Sequence, residues 1–203
     1  MEDLRDVGAP LFLGSHAPPG DDPESLWLGG LDGVAPRAPR VWVPAQAEAA
    51  FHLETRLEAL FEGVVDDDPD EDEIEEIAPE ARSLLAGHVL LDAWVDAFYD
   101  ACRPLGPRVR VRRPGEAGRE ATNGRPALLA VRAAWASAWS DDALLDRLRA
   151  GGGVRPVPRP LMVHAADAAA PEARTEAVRA HLGAPLHVFV EPDGGVTRLL
   201  RSG

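Results

Sequence analysis

Apolar positions in the first half of the chain recur at helical spacing. Over residues 45–63 they stand three and four positions apart, which predicts an amphipathic helix. A second helix with a wide apolar face is expected over residues 79–102, because proline at its start suits a first turn. Residues 66–76 are mostly acidic and are expected to form a solvated loop. Turn-forming residues in 1–40 predict irregular structure, followed by a short strand over 40–44.

The pattern changes after residue 102. Residues 108–113 alternate arginine and valine before a final arginine, as a half-buried strand does. Later segments predict strands over 127–134, 160–166, 186–191 and 195–200, and helices over 141–150 and 171–182. Two β-α-β crossovers require parallel neighbours, and Pro-Asp-Gly-Gly between the last strands requires an antiparallel hairpin. We therefore predict an α/β domain over residues 105–203, with a mixed sheet and flanking helices, after an acidic, largely helical region over 1–104.

Charge divides the chain in the same place. The net charge of −13 combines −19 in residues 1–102 with +6 in residues 103–203. This asymmetry predicts either two modules that attract each other or an acidic arm that covers a basic surface.

Composition excludes several functions. With one cysteine, Cys102, a single chain cannot form an internal disulfide, a cysteine zinc finger or a two-cysteine redox centre. No phosphate-binding loop, G-x-S-x-G or G-x-G-x-x-G motif is present, and the histidines lack metal-site spacing.

The acidic start lacks the basic region of a secretory signal, and charged residues interrupt the apolar stretch over 84–99. We expect a cytoplasmic protein with no metal, no cofactor and no membrane contact.

A pair of tryptophans stands before the helix predicted over 141–150. Residues 135–143 read Trp-Ala-Ser-Ala-Trp-Ser-Asp-Asp-Ala and follow an apolar run. With the predicted order of elements, this segment resembles the thioredoxin-like family, whose mark is an apolar strand leading into F-W-A-x-W-C-x-x-C. Ser140 and Ala143 stand where the family has its cysteines, and Pro185 where it has a cis-proline facing the active site. The resemblance covers about residues 108–203, and the family's final helix has no counterpart.

The resemblance implies a domain without redox activity, because thiol-disulfide exchange needs a thiolate and a resolving thiol. Ser140 is instead interpreted as the N-cap of the following helix. Binding of a protein or peptide needs only shape and apolar area, and the residues expected to carry it are Trp135, Trp139, Ser140, Pro185 and His187. The predicted function is a protein-binding adaptor or chaperone-like module without catalysis. An enzyme with scattered site residues is a further alternative.

The arginine strand supports a different hypothesis. Arg108, Arg110, Arg112 and Arg113 are suited to phosphate contacts, which predicts binding of an anion or a nucleic acid, masked by the acidic half. Two plainer interpretations compete with it. An edge strand kept soluble by charge has the same pattern, and so does a strand paired with the chain's own carboxylates.

Overall fold

In the computed structural model the described residues are 13–14, 22–57, 60, 71–90, 92–151 and 155–202. They form seven α-helices and eight β-strands in a mixed α and β fold. The helices are α1 (Pro23–Gly29), α2 (Ala45–Glu54), α3 (Glu71–Gly87), α4 (Asp92–Cys102), α5 (Arg125–Ser137), α6 (Asp141–Arg149) and α7 (Glu172–Leu182). None of the helices in these ranges is long and apolar enough to cross a membrane.

A five-stranded antiparallel sheet organises the larger part of the molecule. Its strands are β1 (Leu13–Gly14), β2 (Arg40–Val43), β3 (Arg108–Arg112), β4 (Arg119–Thr122) and β5 (Leu161–Ala165), in the order β1-β2-β5-β3-β4. At the centre Val163 pairs with Val41 on one side and Val111 on the other. These valines join a core built with α2 to α6, which also contains Phe51 and Trp135.

A smaller antiparallel sheet has its own core. Its strands are β6 (Ala168–Ala169), β7 (Leu186–Val190) and β8 (Val196–Arg201). Helices α1 and α7 pack on β8 and β7, and Leu28, Val178 and Leu199 are among the residues buried there. The hairpin of β7 and β8 confirms the turn predicted from Pro-Asp-Gly-Gly.

A polar layer joins the two sheets. Side chains alternate across a strand, so the residues between the central valines point away from the larger core. Register places His164 beside both Arg40 and Arg110. The Arg112 guanidinium donates to Glu24 on α1 through Nη1 and Nη2 (2.6 and 2.7 Å) and to His164 Nε2 through Nε (2.9 Å). Glu24 also accepts the backbone N–H of Leu199 in β8, so one carboxylate links α1, β3 and β8.

The first half differs from the predicted elements. The helix expected over 45–63 ends at Glu54, and residues 58–59 and 61–63 lie outside the described residues. The loop expected over 66–76 is wrong from residue 71 onwards, because these residues begin α3; residues 66–70 are outside the described ranges. Acidic side chains favour a helix N-terminus, where they complement the helix dipole. The helix expected over 79–102 is interrupted, since α3 contains Pro79 internally and ends before α4 begins.

An additional helix, α1, lies in the segment expected to be irregular. Asp22 caps it by accepting the Ser25 backbone N–H at 2.9 Å, and Pro23 occupies its first turn. Proline and aspartate begin a helix here, so the prediction of irregular structure is wrong for residues 23–29.

The second half contains one wrong assignment with a large consequence. The strand expected over 127–134 is part of α5. Its buried residues Ala127, Leu128, Val131 and Trp135 recur at helical spacing, and alanine favours a helix. Without that strand the first predicted β-α-β crossover is not formed, and the second is not formed because β5 and β7 lie in different sheets. Every pairing between the described strands is antiparallel. The prediction of a mixed sheet with parallel neighbours is therefore wrong.

The predicted boundary near Pro104 falls in a short 3-10 turn over residues 103–105. Strand β2, before the turn, pairs directly with β5, after it. The likeness to a thioredoxin-like domain stays a prediction.

Candidate functional site

An apolar groove opens beside Trp139, between α2 and the segment that precedes β5. Its volume is about 270 Å³. The described residues that line it are Ala49, His52, Leu53, Leu57, Trp139, Arg155, Pro156 and Pro158. Leu53 is 55% exposed although it is a large aliphatic residue, so the groove offers apolar surface to a ligand.

Trp139 is held by the turn between two helices. Helix α5 ends at Ser137, and the Trp139 backbone N–H donates to the carbonyl of Ala136 at 3.0 Å. Helix α6 begins at Asp141, where the Ser140 hydroxyl accepts the backbone N–H of Ala143 at 3.3 Å. The N-cap interpretation of Ser140 is therefore confirmed. Because caps at both sides fix this short connection, the indole sits at one defined place on the groove wall.

His52 supports the indole from α2. The Trp139 Nε1–H donates to His52 Nε2 at 3.4 Å, and the two rings meet edge to face with centroids 5.6 Å apart. An indole nitrogen can only donate, so Nε2 is the unprotonated nitrogen and Nδ1 carries the proton. Burial lowers the pKa of His52, which Arg113 lowers further and the Glu48 carboxylate partly offsets. The neutral ring is thus the form that fits this hydrogen bond.

A buried ion pair lies behind the groove. Glu48 Oε1 and Oε2 accept from the Arg113 guanidinium at 2.9 and 3.1 Å, and Glu48 is fully buried. The same carboxylate accepts the Arg159 backbone N–H at 2.8 Å, while Arg113 also donates to the carbonyls of Arg159 and Ala134. The pair therefore ties α2, the end of β3, α5 and the segment before β5 together. These are the elements that shape the groove.

The predicted partner residues do not gather at one surface. Trp135 is 2% exposed and packs in the larger core against Phe51, with ring centroids 5.0 Å apart. Pro185 and His187 are exposed at the start of β7, on the smaller sheet, and neither lines the groove. The peptide bond before Pro185 is trans, unlike the cis-proline that the resemblance implies. Of the five residues, Trp139 lines the groove, although it is also buried, with 3% of its surface exposed, and the Ser140 cap lies next to it.

The arginine strand is paired within the chain. Arg112 and Arg113 are buried against Glu24 and Glu48, as described above. Arg110 pairs with Asp167 at 3.0 Å and with Glu120 at 2.5 Å, and Arg108 pairs with Glu120 at 2.6 Å. The interpretation as a strand paired with the chain's own carboxylates fits these contacts. A free cationic surface for phosphates is not formed by Arg110, Arg112 and Arg113.

Cys102 is a buried core residue at the end of α4. Burial raises the pKa of its thiol to about 12, so the reactive thiolate is scarce at neutral pH. Within the described part of the chain, no group of three or more histidine, cysteine, aspartate or glutamate side chains is arranged to hold a metal ion.

Most residues of the groove are not indicated by the sequence pattern. The pattern predicts one helix that contains both Leu53 and Leu57, whereas α2 ends between them, and Leu57 follows the turn at 55–56 in a 3-10 conformation. The Pro-Val-Pro segment at 156–158 forms the opposite wall, with Val157 77% exposed. In the sequence, two prolines on either side of a valine are the signal that indicates a rigid loop with an apolar residue.

No protein-family model matches the chain, and a search of curated proteins finds no match.

Proposed function

We propose that this protein is a noncatalytic adaptor that binds a peptide segment of a partner protein by taking an apolar side chain into the groove beside Trp139. The observation that carries the proposal is the apolar lining of the groove, in which Leu53 and Trp139 face a rigid proline-containing segment. Apolar grooves that display a few polar groups are the common form of a ligand site.

The size of the groove suits one large side chain or two small ones. Complete burial of a leucine or phenylalanine side chain contributes about 1.5–3 kcal/mol. This corresponds to an affinity gain of roughly ten- to one-hundredfold, which is substantial for a peptide contact. The groove can therefore act as the anchor of a longer interface.

The absence of thiol chemistry supports an adaptor function. Cys102 is buried and does not line the groove. The Ser140 hydroxyl accepts the backbone N–H of Ala143 as the N-cap of α6. Neither residue is placed to attack a bound substrate. Binding of a peptide through the shape and apolar surface of the groove needs no reactive side chain.

The experiment is a selection of random dodecapeptides on the full-length protein, with counter-selection on a Leu53→Glu variant. A charge at this position removes exposed apolar surface from the groove wall. The matched control is Leu26→Glu, because Leu26 is also an exposed leucine on a helix (62% exposed) but lies on α1 beside the smaller sheet. Dissociation constants of the selected peptides are then measured by fluorescence anisotropy.

We expect enriched peptides to share one aromatic or large aliphatic position. Their affinity should fall at least about tenfold in Leu53→Glu and stay within about twofold in Leu26→Glu. Peptides that bind Leu53→Glu as tightly as the unmodified protein, or a selection that enriches nothing, would overturn the proposal. Circular dichroism and thermal unfolding of both variants establish that the fold is retained.

A further inference from the structure

One edge of the larger sheet is open. Strand β4 has β3 as its only neighbour among the described strands, and most of its side chains are exposed. Just after β4, the Asn123 backbone N–H donates to the carbonyl of Pro107 at 2.9 Å. Residues that bond across an antiparallel pair recur at every second position, so Ala121 also bonds to β3. The backbone N–H and C=O groups of Glu120 and Thr122 therefore point away from β3, towards the open edge.

A hollow of about 270 Å³ lies beside this edge, between β4 and α5. Leu129 on α5 is 48% exposed, although other residues of this helix are buried in the larger core. Ala121 pairs with the buried Val109, so its side chain lies on the face of the sheet that α5 covers. The described residues that line the hollow are Arg119, Glu120, Ala121, Pro126, Leu129 and Ala130.

Arg119 gives the hollow a positive charge. It is exposed, and among the described residues it forms no hydrogen bond or ion pair. Glu120 lies in the same lining, but its carboxylate is already paired with Arg108 and Arg110. Arg119 and Ala121 are two residues apart and so lie on the same face of β4. The charge and the apolar surface would therefore meet the same side of a strand that was added at this edge.

The charge of the whole chain argues against a second copy as the added strand. Two copies would each bring a net charge of −13 to the contact, and this repulsion disfavours their association. Charge on a short edge strand also deters unselective pairing. A segment that carries a carboxylate and an apolar side chain on one face is complementary to Arg119 and Leu129.

We propose that an extended, acidic segment of a partner protein adds a strand to the larger sheet at β4, with an apolar side chain against Leu129 and a carboxylate at Arg119. Addition of a strand to an exposed sheet edge is an established mode of peptide recognition, in which pockets select alternate side chains. Every pairing in this sheet is antiparallel, so we expect the apolar residue to precede the acidic one by two positions. The hollow shares no lining residue with the groove beside Trp139, so the two sites can be tested separately.

The probes are random dodecapeptides selected on the full-length Leu53→Glu variant, in which a charge blocks the groove beside Trp139. Counter-selection uses a variant that also carries Leu129→Glu. Dissociation constants of the selected peptides are measured by fluorescence anisotropy in the same background, with Leu26→Glu as the matched control beside the smaller sheet. Affinity should fall at least about tenfold in Leu129→Glu and stay within about twofold in Leu26→Glu.

Pairing through the backbone is tested at Thr122. Thr122→Pro removes an N–H that points to the edge and no hydrogen bond to β3, whereas Thr122→Val keeps the N–H. Affinity should fall at least about tenfold in the proline variant and less than about threefold in the valine variant. In the peptide, N-methylation of alternate residues should abolish binding, and N-methylation of the intervening residues should preserve it. Binding should also slow hydrogen exchange of the Glu120 and Thr122 amides, measured by NMR.

The charge contact is tested by a double-mutant cycle. Replacement of the acidic residue of the peptide by glutamine should weaken binding about threefold. This ratio should approach one in Arg119→Gln and persist in Arg201→Gln, which removes an exposed arginine at the end of β8.

A selection that enriches nothing would overturn the proposal, and so would bound peptides that show neither alternation on N-methylation nor slower exchange of the two amides. Equal affinity for the acidic and glutamine peptides would overturn the acidic partner. A dimer in analytical ultracentrifugation that Thr122→Pro dissociates would assign the edge to a second copy of the chain and contradict the proposal. Because Leu53→Glu is present in every peptide measurement, none of these results decides whether the groove beside Trp139 binds a peptide.

Discussion

The buried histidine of the polar layer makes the fold sensitive to acid. His164 is inaccessible to solvent, and its Nε2 accepts from Arg112 Nε while Nδ1 lies 2.8 Å from the carbonyl of Ala165. Burial lowers the pKa of His164 to about 3, with a further contribution from the Arg112 charge. A proton on Nε2 would face the guanidinium and remove its acceptor.

The pH range over which stability changes is set by the pKa of His164 in the unfolded and in the folded state. In the unfolded chain the pKa of His164 is 6.5, so between pH 6.5 and pH 3 the unfolded state binds a proton that the native state does not. Stability is therefore fully present above the unfolded pKa and falls as the pH drops towards the folded one. The slope approaches about 1.4 kcal/mol per pH unit, which gives a loss of roughly 2 kcal/mol between pH 7.5 and pH 5.

The assay is urea unfolding of the protein and of His164→Gln at several pH values from 7.5 to 5. Glutamine offers Arg112 an acceptor but does not titrate, so the difference in unfolding free energy between the two proteins isolates this residue. The unmodified protein should lose about 2 kcal/mol relative to the variant over this range. Exposed His187 changed to glutamine is the matched control for substitution of a histidine. Parallel pH profiles for the protein and His164→Gln would show that His164 does not cause the loss of stability in acid.

Three other predictions test the fold. Glu24→Gln should cost about 3–5 kcal/mol in chemical denaturation, since it leaves the buried Arg112 charge without its carboxylate; a cost below about 1 kcal/mol would contradict this. Gly118→Ala should destabilise more than Gly115→Ala by about 1–3 kcal/mol, because both glycines have positive φ but only at 118 would a Cβ lie 2.2 Å from the Arg112 Cβ; equal melting temperatures would disprove it. Cys102 should resist a thiol reagent at pH 8 until denaturant is added, whereas fast labelling of the native protein would show that the thiol is accessible.

Local elements were predictable where a pattern has a single interpretation. The alternating residues of β3 and the turn between β7 and β8 correspond to the predicted strand and hairpin. The run over 127–134 is apolar at most positions, so periodicity alone could not separate a buried strand from a helix. Alanine at several of those positions and Trp135 one turn later favour the helix that the structure contains.

Local sequence patterns do not indicate which strands pair when these strands lie far apart in the sequence. The sequence predicts β2 as an isolated short strand, and nothing near it indicates that β5, more than a hundred residues later, is its neighbour. The arginines of β3 show the same limit. Their alternation predicts one charged face, but whether that face meets solvent or carboxylates depends on where α1 and α2 bring Glu24 and Glu48.

The sequence predicts one residue of the candidate site, Trp139, but it does not predict the groove that this residue lines. The resemblance points to Trp139 and also to Pro185, which precedes β7 of the smaller sheet. The groove depends instead on the early end of α2, which exposes Leu53, and on the prolines before β5. The groove comes from three separate segments, which are α2, the turn with Trp139 and the prolines before β5. Long-range contacts bring them together, among them the Glu48–Arg113 pair and the hydrogen bond from Trp139 to His52.

Fluorine NMR of the protein labelled with 5-fluorotryptophan shows directly whether a peptide binds in the groove beside Trp139. A Trp139→Phe variant assigns the resonance of the groove, and Trp27, which packs on the smaller core, serves as the internal reference. On addition of a peptide selected on the unmodified protein, we expect the Trp139 resonance to shift in a saturable manner and the Trp27 resonance to stay in place. Leu53→Glu should abolish the shift. Binding of that peptide with an unchanged Trp139 resonance would contradict the claim that the groove beside Trp139 is the partner site.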